Sequence, residues 1–441
     1  MKKIMISGTM SGCGKTTVTC AVTRALVKRG LRVSSFKCGP DYIDPMFHRR
    51  VTGTDAHNLD SFFCDDDMLR GIFARYSQDA DISVAEGVMG FYDGANGAGS
   101  SHSVSQCLEM PVIAVIDAKG MSESIGAVMK GFLEYKPNHI AGFIFNRLPE
   151  SLISQTKHLC DEVGTTYFGR LPKCDDISVG SRDLGLITPD EIQGLEAKAD
   201  RLARLAEENI DIDRILSVDT ALPVCAPAKA PYIGRTVIAV SRDEAFCFMY
   251  PENIDVITDM GAEIRYFSPL RDKELPECDA LYLCGGYPEL HPGFSANSSM
   301  RESVRAAVTG GMPCIAECGG FMYLHRSIDD MPAAGVIDGC SYRTDKLRRF
   351  GYITLTADTD GFVKRGTTFP AHEFHYYESD DCGSDMTADK PWKGISYRCI
   401  HSSESLFAGF PHVYLYACPD LAESFIKKSI AYGQNRTDNR T

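Results

Sequence analysis

Long apolar runs are missing from this chain of 441 residues. None approaches the roughly 18 residues of a membrane helix, so no membrane partner is expected. An excess of positive charge is missing as well. The net charge is −13, which argues against a nucleic-acid surface while leaving room for a local basic pocket that takes an anionic ligand. Paired cysteines at metal spacing are absent: no Cys-x-x-Cys occurs, and a structural zinc site has little support. Tryptophan is reduced to Trp392, to which no role is assigned. Cysteine itself is plentiful, at 17. The opening Met1-Lys2-Lys3, with only a few apolar residues before Ser7-Gly8, does not read as a secretory signal, so a reducing cytoplasm and buried thiols are expected rather than disulfides. With 44% hydrophobic and 24% charged residues, the composition is that of an ordinary globular chain, long enough for two or three domains.

The most informative stretch is Gly8-Thr9-Met10-Ser11-Gly12-Cys13-Gly14-Lys15-Thr16-Thr17, which follows the apolar Ile4-Met5-Ile6 and opens a helix. A glycine-rich turn between a buried strand and a helix N-terminus gathers backbone N–H groups around an anion. ATP is therefore the expected ligand, held by Gly8, Thr9, Gly12, Gly14, Lys15, Thr16 and Thr17, with Lys15 on the β/γ-phosphates and the Thr16 hydroxyl on Mg²⁺. Five residues separate Gly8 from Gly14, one more than in the common phosphate loop, and Thr9 stands at an expected glycine position.

Strand and helix patterns then alternate, which predicts a parallel sheet covered by helices on both faces. Val18, Val22, Ala25, Leu26 and Val27 fall at helical spacing before the stop at Gly30. A second strand ends in Lys37-Cys38-Gly39-Pro40-Asp41-Tyr42-Ile43-Asp44-Pro45. Its charges sit at a strand's carboxyl end, where ligands of open α/β sheets gather, although a proline-bounded turn with solvated charges fits as well. The strand Ile82-Ser83-Val84-Ala85 delivers Glu86, the preferred second metal residue. Asp93, in a glycine-rich loop, either faces the reacting carboxylate or forms an Asp-Gly turn.

Residues 190–209 read as a charged amphipathic helix, and Pro223, Pro227 and Pro231 mark a linker. The expected domains are 1–195, a helix and linker over 196–234, and 235–441. In the last, a strand runs into Gly285-Gly286-Tyr287-Pro288-Glu289-Leu290, where the N–H groups of Gly285 and Gly286 are candidate oxyanion donors. Another strand ends at Glu317 and delivers Cys318 into Gly319-Gly320. A cysteine on a sharp strand-to-helix turn has the geometry of a nucleophile. It needs a base, and spacing alone does not choose among His372, His375 and His412.

Together these segments, with Asn58-Leu59-Asp60, Arg242-Asp243-Glu244-Ala245-Phe246 and His372-Glu373-Phe374-His375, resemble the cobyrinic acid a,c-diamide synthases, glutamine-dependent amidotransferases of corrinoid biosynthesis. The resemblance covers almost the whole chain. It implies an α/β fold of two domains: an N-terminal phosphate-loop domain similar to dethiobiotin synthetase and a C-terminal class I glutamine amidotransferase domain. It also implies ATP- and glutamine-dependent amidation of the a- and c-carboxylates of cobyrinic acid through acyl phosphates, with Mg²⁺ as cofactor. Cys318 matches the family's nucleophile and His412 its activating histidine. Thr16, Glu86 and Asp41 become the expected metal residues, and Lys37, Tyr42, Ile43 and Asp93 the expected substrate contacts. Two positions depart from the family pattern, Asp183 and Tyr414, each standing where a histidine is usual. Hydrogenobyrinic acid or nickel sirohydrochlorin are alternative substrates. A partitioning-type ATPase switch is the alternative from another class, and it is disfavoured by Met10, which stands where such switches carry a lysine. The sequence is silent on oligomeric state, a homodimer being the one assembly considered.

Overall fold

The computed structural model describes residues 2–94, 97–173, 189, 192, 194–220, 225–391 and 394–438. Asp183, Pro223 and Trp392 lie outside them. The chain divides into two compact units, Met1–Ala228 and Lys229–Thr441.

The first unit is built on seven strands: β1 (Lys2–Gly8), β2 (Val33–Cys38), β3 (Ala56–Leu59), β4 (Ile82–Glu86), β5 (Val112–Asp117), β6 (Ile140–Asn146) and β7 (Thr166–Leu171). All pair in parallel, in the order β3-β2-β4-β1-β5-β6-β7. Parallel strands need crossovers, and six of the unit's helices supply them: α1 (Lys15–Lys28), α2 (Ile43–Thr52), α3 (Asp66–Ser77), α4 (Ser101–Cys107), α5 (Ser124–Glu134) and α6 (Ile153–Glu162). Helix α1 buries Val18, Val22, Ala25 and Leu26, as its spacing predicts, and closes on Gly30 at φ +83°, whose N–H donates to the Val27 carbonyl at 2.9 Å. Register then decides what meets what. Glu86 pairs with Ile6 on one side and Lys37 on the other, so the carboxyl ends of β1, β2 and β4 bring the glycine-rich turn, Lys37 and Glu86 to one edge.

Helix α7 (Leu195–Asn209), expected as the start of a separate helix-and-linker segment, belongs to this unit. Leu202, Ala203 and Ala206 share a core with Val18 and Val22 of α1, and Arg24 pairs with Asp200 at 2.8 Å. Helix α8 (Ile212–Ser217) follows, its N-terminus capped by Asp211.

The second unit holds a six-stranded sheet from β8 (Thr236–Ser241), β9 (Ala262–Phe267), β10 (Ala280–Leu283) and β11 (Cys314–Glu317), completed by two late strands. Helices α9 (Pro251–Asp259), α10 (Gly293–Ala296), α11 (Ser298–Thr309) and α12 (Gly319–Leu324) lie between or after these strands. Between α12 and the chain's last helix the alternation stops. Here run β12 (Ser327–Ile328), β13 (Met331–Pro332), β14 (Cys340–Arg343), β15 (Arg349–Ala357), β16 (Thr368–His375), β17 (Tyr377–Ser379), β18 (Met386–Asp389), β19 (Ser396–Cys399), β20 (His401–Ser402), β21 (Leu406–Gly409) and β22 (His412–Val413), before α13 (Pro419–Asp438). Strands β20 and β21 complete the six-stranded order β20-β21-β11-β10-β8-β9, and β19-β18-β15-β16-β22 form an antiparallel sheet. Two pairings matter for the site: Glu317 of β11 lies opposite Gly409 of β21, and His412 of β22 lies opposite His372 of β16.

Candidate active sites

At the edge of the first sheet, Gly12 (φ +73°) and Gly14 (φ +96°) turn the chain through left-handed conformations into α1. A Cβ at Gly14 would collide with the Asn146 side chain, whose amide donates to the Cys13 carbonyl at 2.9 Å. The cradle is thus closed by its own backbone and by Asn146, a residue that carried no signal beyond its place at a strand end. Lys15 is 8% exposed and its ammonium donates to the Met10 carbonyl at 3.0 Å, across the mouth of the turn. Burial pushes its pKa below the ordinary value, and the neighbouring Lys37 adds to the push. A cation so held gains from an arriving anion.

Thr16 places its hydroxyl 2.6 Å from Glu86 Oε1 and 3.3 Å from Asp44 Oδ1. One hydroxyl and two carboxylates meeting at the mouth of a phosphate cradle are the hard oxygen donors Mg²⁺ takes, so these residues fit that ion. Lys37 is almost fully buried and donates to Asp44 at 2.5 Å, to Glu86 at 3.0 Å and to the Gly87 carbonyl at 3.1 Å. His48 Nε2 lies 2.7 Å from Glu86 Oε2. Burial alone would raise the Glu86 pKa, but the Lys37 charge and the His48 and Thr16 hydrogen bonds hold it well below the usual carboxylate range. Asp44 goes the other way: burial, with Glu86 beside it, raises its pKa. His48 is a member of this cluster that sequence reasoning missed.

The expected contacts fall in different places. Asp41 Oδ1 accepts from the Ile43 and Asp44 N–H groups at 2.8 and 3.2 Å at the start of α2, its Oδ2 lies 4.0 Å from Lys37 Nζ, and Asp44 is the carboxylate that reaches Thr16. Asp93 accepts from the Gly90 N–H at 2.8 Å within its own loop, the turn alternative. Ile43 is buried in the first turn of α2, whereas Tyr42 is half-buried.

In the second unit, Cys318 sits between β11 and α12 at φ +46°, ψ −105°, a conformation costly for a side-chain-bearing residue. Its N–H donates to the Gly409 carbonyl at 2.8 Å. Gly320 follows because a Cβ there would run into the Leu283 carbonyl. His412, 2% exposed, is hydrogen-bonded to the Cys318 thiol, and its Nδ1 lies 3.5 Å from Glu317 Oε2. Burial opposes the imidazolium, but the Cys318 charge, the hydrogen bond to its sulfur and Glu317 outweigh it, and the pKa rises to about 9. His412 is thus poised as an imidazolium beside the Cys318 thiol.

The other two histidines do different work. His372 stacks on His412 at 5.1 Å, and burial together with the His412 charge pushes its pKa well below the ordinary value, so it stays neutral. His375 stacks on Phe410 and its Nδ1 lies 2.6 Å from the Tyr377 carbonyl. The two expected oxyanion donors differ in what they bond. Gly285 N–H is committed to the Phe248 carbonyl at 3.2 Å, which leaves Gly286 as the candidate of the two. Its nitrogen is 2.9 Å from where a Cβ on Gly319 would sit, so it adjoins the residue after the nucleophile, whose own N–H is a second candidate donor.

Residues 4–185 match the family described as CobQ/CobB/MinD/ParA nucleotide binding domain, and residues 237–415 the CobB/CobQ-like glutamine amidotransferase domain. Among curated relatives, the cobyrinate a,c-diamide synthase of Listeria monocytogenes serovar 1/2a is 39% identical over 438 residues, spanning 94% of this chain and 97% of its own. That of Dehalococcoides mccartyi (strain CBDB1) is 35% identical, with 97% and 98% coverage. That of Priestia megaterium is 36% identical, with 99% of each chain covered. Among the described residues, no helix is long and apolar enough to cross a membrane.

Proposed function

The chain belongs to the cobyrinate a,c-diamide synthase family, and from that premise we propose that it amidates the a- and c-carboxylates of cobyrinic acid through acyl phosphates. It is a glutamine-dependent amidating ligase with a nucleotide-binding domain. The observation that carries the mechanistic reading is the conjunction, on one chain, of a glycine cradle ending in Lys15-Thr16 and a strained Cys318 bonded to His412.

A carboxylate does not react with ammonia at neutral pH. In the first site, therefore, a substrate carboxylate oxygen attacks the γ-phosphorus of ATP; ADP leaves and an acyl phosphate forms. Lys15 and the loop N–H groups hold the phosphates, and Lys37 supplies positive charge beside them. Thr16, Glu86 and Asp44 would hold Mg²⁺, which when bound neutralises charge on the transferring group. Ammonia then adds to the acyl carbon and phosphate departs, leaving the amide.

In the second site the Cys318 thiolate attacks the side-chain amide carbon of glutamine. The Gly286 and Gly319 N–H groups face the oxyanion, His412 gives its proton to the departing ammonia, and water releases glutamate from the thioester.

The test offers the purified protein ATP, Mg²⁺ and glutamine with cobyrinic acid, hydrogenobyrinic acid or nickel sirohydrochlorin, following product mass and ADP. Cys318→Ser runs beside it with glutamine or with ammonia. Two amides gained by cobyrinic acid, and a variant active with ammonia alone, are the expected results. Preference for another macrocycle would overturn the substrate assignment, and a glutamine-competent Cys318→Ser would overturn the role of the thiol.

A further inference from the structure

Position 414, two residues after His412, is where the family often carries a second histidine, and Tyr414 has no such group to offer. Its ring is buried edge-on against Tyr250 at 5.2 Å. A thiol–histidine pair still needs something to hold the ring and to balance the imidazolium, because a buried charge without a partner is costly. The residue in place is Glu317, immediately before the nucleophile.

Glu317 is 1% exposed. Its Oε1 accepts from the Tyr282 hydroxyl at 3.0 Å and from the Val413 N–H at 3.3 Å, and its Oε2 lies 3.5 Å from His412 Nδ1. Among the described residues, His412 is the one basic side chain within ion-pair distance of Glu317. The carboxylate is itself held in place. Tyr282 accepts from Asn253 Nδ2 at 3.0 Å, the same amide donates to the Val413 carbonyl at 2.9 Å, and Asn253 Oδ1 accepts from the Leu415 N–H at 2.7 Å. A fully buried asparagine on α9 thus ties Tyr282 of β10 to the segment that follows His412. With Nδ1 turned to the carboxylate, Nε2 is the nitrogen left for the thiol.

We propose that Glu317 is the positioning carboxylate of the glutamine site, completing a Cys318–His412–Glu317 relay in which two of the three members are adjacent in the chain. The inference rests on the reading of Cys318 and His412 given above. Four titratable neighbours of the relay carry no competing charge. His372 is neutral, and burial raises the pKa values of Tyr282 and Cys418 well above the ordinary range and that of Cys284 to about 12.

The experiment compares wild type, Glu317→Gln, Glu317→Asp and Cys318→Ser in glutamine-dependent and ammonia-dependent amidation across pH 6 to 10. Ammonia-dependent turnover bypasses this site and reports on folding. For Glu317→Gln, kcat with glutamine should fall roughly 10²-fold or more with KM for glutamine nearly unchanged, because the amide keeps the shape and loses the charge that holds the imidazolium. Its alkaline limb should move about one pH unit lower, and Glu317→Asp should recover part of kcat. Alkylation of Cys318, followed by peptide mapping, should reach half its maximal rate at a higher pH in Glu317→Gln, since the thiolate loses its stabilised partner. A folded Glu317→Gln with unchanged kcat and unchanged pH profiles overturns the proposal. If Cys318→Ser retains glutamine turnover, the underlying thiol reading fails instead. Should Glu317→Gln lose ammonia-dependent turnover too, wild type and His412→Ala decide: a low-field imidazole N–H resonance present in wild type and lost in His412→Ala supports the relay, and its absence from wild type refutes it.

Discussion

Replacing Lys37 by methionine removes the ammonium around which the first site is arranged and keeps the apolar stem. In the native protein that ammonium donates to Asp44 at 2.5 Å, Glu86 at 3.0 Å and the Gly87 carbonyl at 3.1 Å, and it is 3% exposed. Breaking a buried ion pair by deleting one partner costs about 3–5 kcal/mol. The lower end applies here, about 3 kcal/mol, because Thr16 and His48 still bond Glu86. The cost depends on pH. Glu86 has its pKa lowered by the folded structure, so its stabilisation is present above the unfolded carboxylate range and is lost as pH falls. Without Lys37, the burial of Glu86 raises its pKa with less to oppose it, so the variant is most destabilised at neutral and alkaline pH and recovers toward wild type near pH 5. Native-state hydrogen exchange of peptides from β1 and β4 reports this change: about 3 kcal/mol corresponds to roughly 10²-fold faster opening at pH 8, after correction for intrinsic exchange. Protection within threefold of wild type at pH 8, or a loss of protection that does not shrink toward pH 5, would refute the view that Lys37 neutralises a buried acidic pair.

The other expectations follow from single contacts. Gly14→Ala places a Cβ against Asn146 at φ +96°, so the loop must shift; KM for ATP should rise at least tenfold, measured by steady-state ADP release, while glutamine hydrolysis is spared. Glutamine-dependent turnover should decline as pH rises through about 9. The His412 pKa is raised from 6.5, so the imidazolium that protonates departing ammonia is fully present below pH 6.5 and is lost through the folded value; a decline centred near 7 would contradict this. Asp44→Ala should raise the Mg²⁺ concentration needed for half-maximal amidation. Asp41→Ala should leave it within a few-fold and cost about 1 kcal/mol of thermal stability, the loss of a helix-start hydrogen bond. Equal Mg²⁺ shifts in both variants would remove the distinction between them.

What could be read from the residues was whatever constrains neighbours along the chain. The turn from Gly8 to Thr17 is legible because each glycine answers a local backbone demand between a strand and a helix. Cys318 is legible for the same reason, since its turn needs small residues directly after it. Asp41 and Asp44 illustrate the limit. Both follow Lys37 within one turn-forming stretch, and only the path of α2 decides that Asp41 bonds its own backbone while Asp44 faces Thr16. His48 gave no distinct signal, as a lone histidine on a helix is usually structural. The antiparallel strands from β14 to β19 lie where no sustained alternation of strand and helix could be read.

The choice among His372, His375 and His412 shows most clearly where each kind of information ends. By itself, the sequence determined that the chain carries a phosphate cradle and a cysteine elbow on α/β scaffolding, because backbone conformation and hydrophobic period are local properties. It also supplied three histidines that spacing left equal, His412 being preferred through the family resemblance alone. Tertiary structure alone decided that His372 lies stacked beside His412 as a neutral neighbour and that Glu317 stands behind the ring. The physical reason is separation: Glu86 meets Thr16 across 70 positions, and Val413 meets Glu317 across 96. Contacts over such distances are set by strand order and register, which no short stretch of residues encodes.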